Sequence, residues 1–188
     1  MIGLAIYLFT IYAPRVRQYK LGKKAGLVSS PLDMALDFAA FAAWMVIPLI
    51  YIFSAWLNFA DYPLPDLAGW LGVAIFCAAI WLFGLAYSEL GSNWSPRIEI
   101  IEEHTLVTSG IYASIRHPVY AAMFLWSLAQ PLLLHNWIAG PGLLVILIPL
   151  YLLRMPSEER MMLDHFGKAY IDYIAQTGRI LPRFGKRT

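Results

Sequence analysis

The stretch LAGWLGVAIFCAAIWLFGLAYS, Leu67–Ser88, runs for 22 residues without a single charge. A helix crosses the hydrocarbon of a bilayer in roughly 20 apolar residues, so this stretch reads as a transmembrane helix. Upstream, Ala35–Phe59 is a second run of spanning length, and Met1–Ala13 is a shorter one. Downstream, Tyr120–Leu134 and Trp137–Leu153 are separated only by His135 and Asn136, a turn-sized break that makes the two runs a tight helical hairpin. A chain that is 60% hydrophobic and 14% charged, with mean hydropathy +0.60, does not have the composition of a soluble domain. The expected fold is therefore all-α: a multi-pass transmembrane helical bundle of about five membrane helices, the last two a tight hairpin, with a cytoplasmic amphipathic helix after them. Residues 1–188 read as one membrane domain. Three N-terminal helices fall in 1–88, and a second half, 89–188, carries the hairpin 120–153 and a C-terminal helix over 157–176.

Charge placement sets the expected orientation, because cytoplasmic loops retain Lys and Arg. Arg15, Arg17, Lys20, Lys23 and Lys24 lie in the first loop, Arg97 and Arg116 in the segment before the hairpin, and the remaining seven basic residues between Arg154 and Arg187. The loop Asp61–Asp66 and the His135-Asn136 turn carry none, so the basic segments share one membrane face. Trp56, Tyr62, Trp70 and Trp137 fall near the opposite ends of the spans, at headgroup level. The basic residues near the N-terminus follow the first apolar run rather than precede it, which reads as a retained helix and not a secretory signal. Cys77 is the only cysteine and sits mid-span, excluding a disulfide framework and a thiolate metal site. The net charge of +2 is modest, and the five basic residues of the first loop fit contact with anionic lipid headgroups better than nucleic acid.

Two polar patches flank the hairpin. The first ends in HTLVTSGIYASIRHPVY, His104–Tyr120, where Gly110 and Pro118 signal turns and an extended residue before the proline. The second holds Arg154, Glu158, Glu159 and HFGKAYIDY, His165–Tyr173. Met161, Met162, Leu163, Phe166, Tyr170, Ile171 and Ile174 recur at three- and four-residue steps, an apolar stripe on a helix that starts near Pro156 with Ser157 as N-cap and stops at Gly178. From position alone each polar residue has an ordinary reading beside a functional one. Glu158 and Glu159 suit a helix first turn, Arg154 suits a snorkelling membrane-end arginine, and His117 suits a satisfied interfacial histidine. The four histidines show no ligand spacing, and no metal site is expected.

The ordered set HTLV, SGIY, RHPVY, R-x-x-x-E-E and FG-x-x-Y, spread from about Leu90 to Pro182, resembles the isoprenylcysteine carboxyl methyltransferase family of integral membrane enzymes. The resemblance implies transfer of a methyl group from S-adenosyl-L-methionine to the carboxylate of a prenylated cysteine, with the cofactor bound in 89–188 and without a Rossmann domain. The chain is consistent with that: its one Gly-x-Gly pair, Gly140 and Gly142, lies inside the hairpin. Carried across motif by motif, the cofactor contacts fall on His104, Thr105, Leu106, Val107, Tyr112, His117, Pro118, Val119, Tyr120 and Glu158, and the substrate arginine on Arg154. Arg97 stands where distant relatives place a glutamine, and Arg179 is a further candidate for anion binding. The short tail with TGRILP is similar to compact prokaryotic members, implying a prokaryotic cell membrane with the site facing the cytoplasm. The implied partners are a lipophilic substrate, either a prenylated cysteine or a lipid, and the bilayer, with no nucleic acid and no metal.

Little catalytic machinery is needed for this chemistry. A carboxylate with an ordinary pKa near 4 is already ionised at neutral pH, so no catalytic residue distinct from positioning residues is expected. Alignment of the reacting groups contributes on the order of 7 to 11 kcal/mol. Two other readings stay open at this point. An amine of a phospholipid or another lipophilic small molecule would be the methyl acceptor if a base stood near the methyl, and a non-enzymatic membrane subunit would not bind the cofactor at all.

Overall fold

The computed structural model describes residues 31–91 and 105–183. His104, Arg97, the apolar run Met1–Ala13 and the five basic residues of the first loop lie outside the described residues. Helix α1 (Pro31–Phe41) passes through a π-helical turn, Ala42–Val46, into α2 (Ile47–Phe53). The wide turn falls just ahead of Pro48, whose ring and missing N–H interrupt the regular ladder. Helix α3 (Asp66–Leu90) follows, with Asp66 against the positive end of its dipole. Helix α4 (Pro118–Leu134) opens on a proline at its first position, where no N–H is needed, and closes on His135 in the left-handed region at φ 44°. Helix α5 (Gly142–Phe166) and α6 (Lys168–Gln176) are the last helices among the described residues.

Met34–Phe53 and Asp66–Leu90, at 20 and 25 residues, are long and apolar enough to cross a membrane. Pro118–Leu134 is a shorter apolar helix, and α5 is apolar only as far as Leu153. Phe38, Phe53, Phe59, Trp70 and Trp81 all point outward, as side chains facing hydrocarbon do and side chains facing water rarely do in such numbers.

Packing is built on small residues. Ala79 and Ala86 of α3 and Ala122 and Ala129 of α4 are fully buried, which lets the two backbones approach closely. Trp126 of α4 packs edge-on against Phe76 of α3 (centroids 4.5 Å apart) and Trp44 of the π turn (5.4 Å), tying three elements together. Polar groups inside the bundle are largely satisfied within it. Gln130 Nε2 donates to the carbonyls of Ala43, in the π turn, and Ala139, at 2.9 and 2.8 Å. Asn136 closes the hairpin: its Oδ1 accepts from the Ile138 and Ala139 amides, and its Nδ2 donates to Leu57 O and Asp61 Oδ1. Tyr62, stacked obliquely on Trp137 at 4.8 Å, donates to Pro131 O at 2.6 Å.

The second arm of the hairpin does not end at Leu153, and no separate helix starts at Ser157. Instead α5 runs unbroken through Pro149 and Pro156 to Phe166. Each proline removes one ladder bond, but Leu147, Leu150 and Met155 are buried in a cluster with Ala40 and Tyr120, and this packing outweighs the local preference. The actual break is Gly167, whose φ of 53° suits glycine and stops the helix before α6 begins. The expected span 157–176 is thus the last three turns of α5 plus α6.

After α6 the strap Thr177–Leu181 returns along Ser114–His117. Arg116 and His117 amides donate to Gly178 O and Arg179 O at 2.8 and 2.9 Å, and the Gly178 amide donates to Ser114 O at 3.0 Å. Arg116 adds Nη1 to Thr177 O at 2.5 Å, while its Nη2 meets Glu159 Oε1 at 3.2 Å; Arg179 Nη2 meets Glu159 Oε2 at 2.5 Å. Burial opposes ionisation of Glu159, but the His117 ring 3.5 Å away and hydrogen bonds from Arg179 and Arg116 outweigh it and lower the pKa to about 2.

A Cβ on Gly140 would lie 2.7 Å from Asn136 O and 2.9 Å from Pro131 Cα, both backbone atoms. Gly140→Ala is therefore expected to destabilise the protein by about 1–3 kcal/mol, read as a lower midpoint of thermal unfolding in detergent. A folded-state pKa near 2 against an ordinary 4.5 means that Glu159 stabilises the strap fully above about pH 4.5, and that this stabilisation is lost progressively until the pH falls through about 2. Hydrogen exchange at the Arg116, His117 and Gly178 amides is expected to follow that course, and Glu159→Gln is expected to show weakened protection already at neutral pH.

Candidate active site at the junction of α4 and α5

His117 is the N-cap of α4, and Pro118 is buried in its first turn, so Tyr120 projects from that turn toward α5. Its hydroxyl donates to Glu158 Oε1 at 2.7 Å. His117 Nδ1 stands 3.8 Å from Glu158 Oε2, and its Nε2 stands 3.5 Å from Glu159 Oε1. That Nε2 is buried and makes no hydrogen bond of good geometry. The Tyr120 ring is set edge-to-face against His117 at 6.0 Å and Tyr151 at 5.8 Å, giving a wall of aromatic rings beside the carboxylate. Burial holds the Glu158 carboxyl above the usual range, against the opposing effects of Tyr120, His117 and Arg154. The two neighbouring acids therefore sit in opposite environments. Neither is a first-turn cap, because the helix they occupy begins sixteen residues before Glu158, at Gly142.

Continuity of α5 puts Arg154 one turn before Glu158 on the same face. Arg154 is mostly buried, its Nη1 is bonded to Asp37 of α1, and its Nε is buried without a hydrogen-bond partner. Asp37 was not singled out in the sequence, although it is a carboxylate only two residues into the apolar run Ala35–Phe59.

The remaining candidates are arranged on both sides of this cluster. Thr105, Leu106 and Val107 form an irregular segment, with Thr105 exposed and the other two half-buried. Val119 is half-buried in the first turn of α4. Tyr112 lies in the short 3-10 helix Gly110–Ala113 and is buried, its hydroxyl 3.4 Å from Ala86 O and its carbonyl accepting the Tyr173 hydroxyl at 2.7 Å. Its ring is packed into α3 instead of presenting an open flat face, and it links the 3-10 helix to α6. Glu89, unnoticed in the sequence, accepts the Ile111 amide at 2.5 Å and anchors the same helix. Tyr112 and Glu158 stand at the same end of the bundle, joined through the strap and α6. Arg179 is committed to Glu159, leaving Arg154 as the arginine nearest the Tyr120–Glu158 pair with a buried, unpaired N–H.

Comparison with known proteins places the chain in a family. A sequence model of the isoprenylcysteine carboxyl methyltransferase (ICMT) family matches residues 70–164, half of the chain. Among curated relatives, a protein-S-isoprenylcysteine O-methyltransferase of Tribolium castaneum is 33% identical over 138 residues, covering 69% of this chain and 49% of the relative. That of Dictyostelium discoideum is 30% identical over 171 residues (87% and 65%), and that of Homo sapiens 28% identical over 188 residues (97% and 63%). The chain thus spans between about half and two thirds of the length of these relatives. The solved structure of the eukaryotic intramembrane Ras methyltransferase ICMT is similar with a TM-score of 0.55 and 27% identity, over 83% of this chain and 54% of that one. These relatives are eukaryotic, and the prokaryotic character read from the short tail finds no support among them. With the family match extending from within α3 to Asp164 in α5, across the segment before α4 and over Arg154, Glu158 and Glu159, the chain belongs to the isoprenylcysteine carboxyl methyltransferase family.

Proposed function

We propose that this chain transfers a methyl group from S-adenosylmethionine to the carboxylate of an isoprenylated cysteine or a similar lipophilic acid, forming a methyl ester at the polar end of the bundle. The observation that carries this reading is the placement of Arg154, with its buried and unpaired Nε, one helical turn from the Tyr120–Glu158 pair. The first feature suits a carboxylate acceptor and the second a nucleoside-bearing cofactor.

The side chains fit such a cofactor. Glu158 offers acceptor oxygens for ribose hydroxyls, His117 Nε2 is a buried polar atom without a good hydrogen bond, and Tyr120 and Tyr151 give aromatic edges and faces for a base. Thr105, Leu106 and Val107, with His104 ahead of them in sequence, and Pro118 and Val119 in the first turn of α4 would line the same cofactor, and Tyr112 would support the segment before α4. When bound, the cofactor supplies an electrophilic methyl carried on a sulfonium that is its own leaving group.

The work of the protein is then positional. Arg154 holds the acceptor carboxylate in its ionised, nucleophilic form; its planar fork fixes both oxygens where a lysine would fix one point charge. Tyr120 keeps Glu158 in place with a hydrogen bond to a charged acceptor, worth about 1.5–3 kcal/mol. Packing of α4 against α5 excludes water from both charged partners. No side chain need remove a proton from the acceptor, because a carboxylate of ordinary pKa near 4 has already lost it. A polar cofactor reaches this end from the aqueous phase and a lipid-tailed acceptor from the bilayer. The basic residues at this end of the bundle, among them Arg116, Arg154 and Arg179, support an active site facing the cytoplasm.

Two outcomes test the reading. By calorimetry, Tyr120→Phe is expected to weaken binding of S-adenosylhomocysteine by on the order of tenfold, and Glu158→Ala by more, because each removes a charge-assisted hydrogen bond; unchanged affinity in both overturns the cofactor site. With radiolabelled cofactor and a farnesylcysteine analogue, the label is expected to become base-labile, and Arg154→Lys is expected to lower kcat/KM on the order of tenfold or more. Base-stable label in a lipid amine overturns the acceptor.

A further inference from the structure

Asp37 is a carboxylate on an apolar helix, two turns after Pro31 and close to where the first spanning segment, Met34–Phe53, begins. An ionised group there is costly to keep unless it has a partner or a task. Its side chain remains about half exposed, while the arginine it engages is 86% shielded from solvent, since Arg154 retains 14%. The contact joins α1 to α5 across a separation of 117 residues. It uses one nitrogen only: Nη1 of Arg154 faces Asp37 Oδ1, and Nε, on the other edge of the guanidinium, is buried with no hydrogen-bond partner among the described residues. A guanidinium has two edges that can take a carboxylate side by side, Nη1 with Nη2 and Nε with Nη2. Holding Nη1 fixes the rotation of the plane and leaves the Nε edge without a hydrogen bond, one helical turn from Glu158.

On the reading given under Proposed function, we propose that Asp37 is a positioning residue for the acceptor site: it anchors Arg154 through Nη1 so that the Nε edge is presented to the acceptor carboxylate. The arrangement also divides one positive charge between two carboxylates. An arginine neutralised in advance by Asp37 can be kept at the membrane boundary without an acceptor, and it draws less electron density from the acceptor oxygen than an isolated guanidinium would. Asp37 itself touches neither cofactor nor acceptor. Its influence passes entirely through Arg154.

That dependence gives a test which a purely structural role does not meet. In the purified full chain, kcat and KM for a farnesylcysteine analogue are measured in the wild type, Asp37→Ala, Asp37→Asn, Arg154→Ala and the Asp37→Ala/Arg154→Ala double variant, with S-adenosylhomocysteine affinity as a check on the fold. Asp37→Ala is expected to lower kcat/KM about tenfold or more with cofactor affinity unchanged, because misplacing a binding group by a fraction of an ångström is costly. Asp37→Asn, which keeps an oxygen acceptor for Nη1, is expected to recover most of the loss. In the Arg154→Ala background, removing Asp37 is expected to change nothing further. Losses that multiply in the double variant, or full activity in both Asp37 variants, overturn the assignment while leaving the acceptor reading intact. A wild type that forms no base-labile ester overturns the acceptor reading and this assignment with it.

Discussion

The unbroken course of α5 through Pro156 is the constraint on which the site depends. A helix advances 100° per residue, so Arg154 and Glu158, four apart, share a face only if the turn between them is helical. Proline at 156 deprives that turn of one hydrogen bond and disfavours helical dihedrals at Met155. The turn survives because Met155 is almost completely buried, packed with Leu147, Leu150, Ala40 and Tyr120. Burying a side chain of that size is worth about 1.5–3 kcal/mol, comparable to the local penalty, and its neighbours add to it. Packing on one side of the helix therefore sets the geometry of the polar groups on the other.

The neighbouring acids Glu158 and Glu159 show how one helix serves two purposes. Consecutive residues point about 100° apart, so a single turn directs one carboxylate into the α4 junction and the next toward the strap. Glu158, with a single strong donor in Tyr120, is pushed up by burial; Glu159, between Arg116, His117 and Arg179, is pulled down to about 2. The strap held by Glu159 completes the floor beneath His117 through main-chain bonds to Arg116 and His117, while Ile180 packs against both apolar clusters of the bundle. Closing the site is thus partly the work of residues that never face it.

Much of this was legible in the chain. Leu67–Ser88 reads as a spanning helix, since no charge interrupts it, and it lies within Asp66–Leu90, a helix long and apolar enough to cross a membrane. The motif residues His117, Tyr120, Glu158 and Arg154 were found from their order, and they do converge. The helix boundaries in the last third were misplaced, because Pro156 and Ser157 carry the local signals of a helix start while the burial that overrides them comes from α1 and α4. That Tyr112 is buried with its hydroxyl 3.4 Å from Ala86 O was not legible, since a tyrosine looks the same in sequence whether it covers a ligand or a helix.

By itself the sequence determined the solvent this protein is built for, the helical class and the types of side chain available for chemistry, because hydropathy and residue chemistry are local properties. Only the tertiary structure decided which of those side chains meet. The pairing of Asp37 with Arg154, of Glu89 with the amide of Ile111 and of Glu159 with two arginines joins residues that no periodicity relates. Those distances follow from how closely alanine-lined helices approach one another, and that is a property of several packed helices together, which no single segment contains.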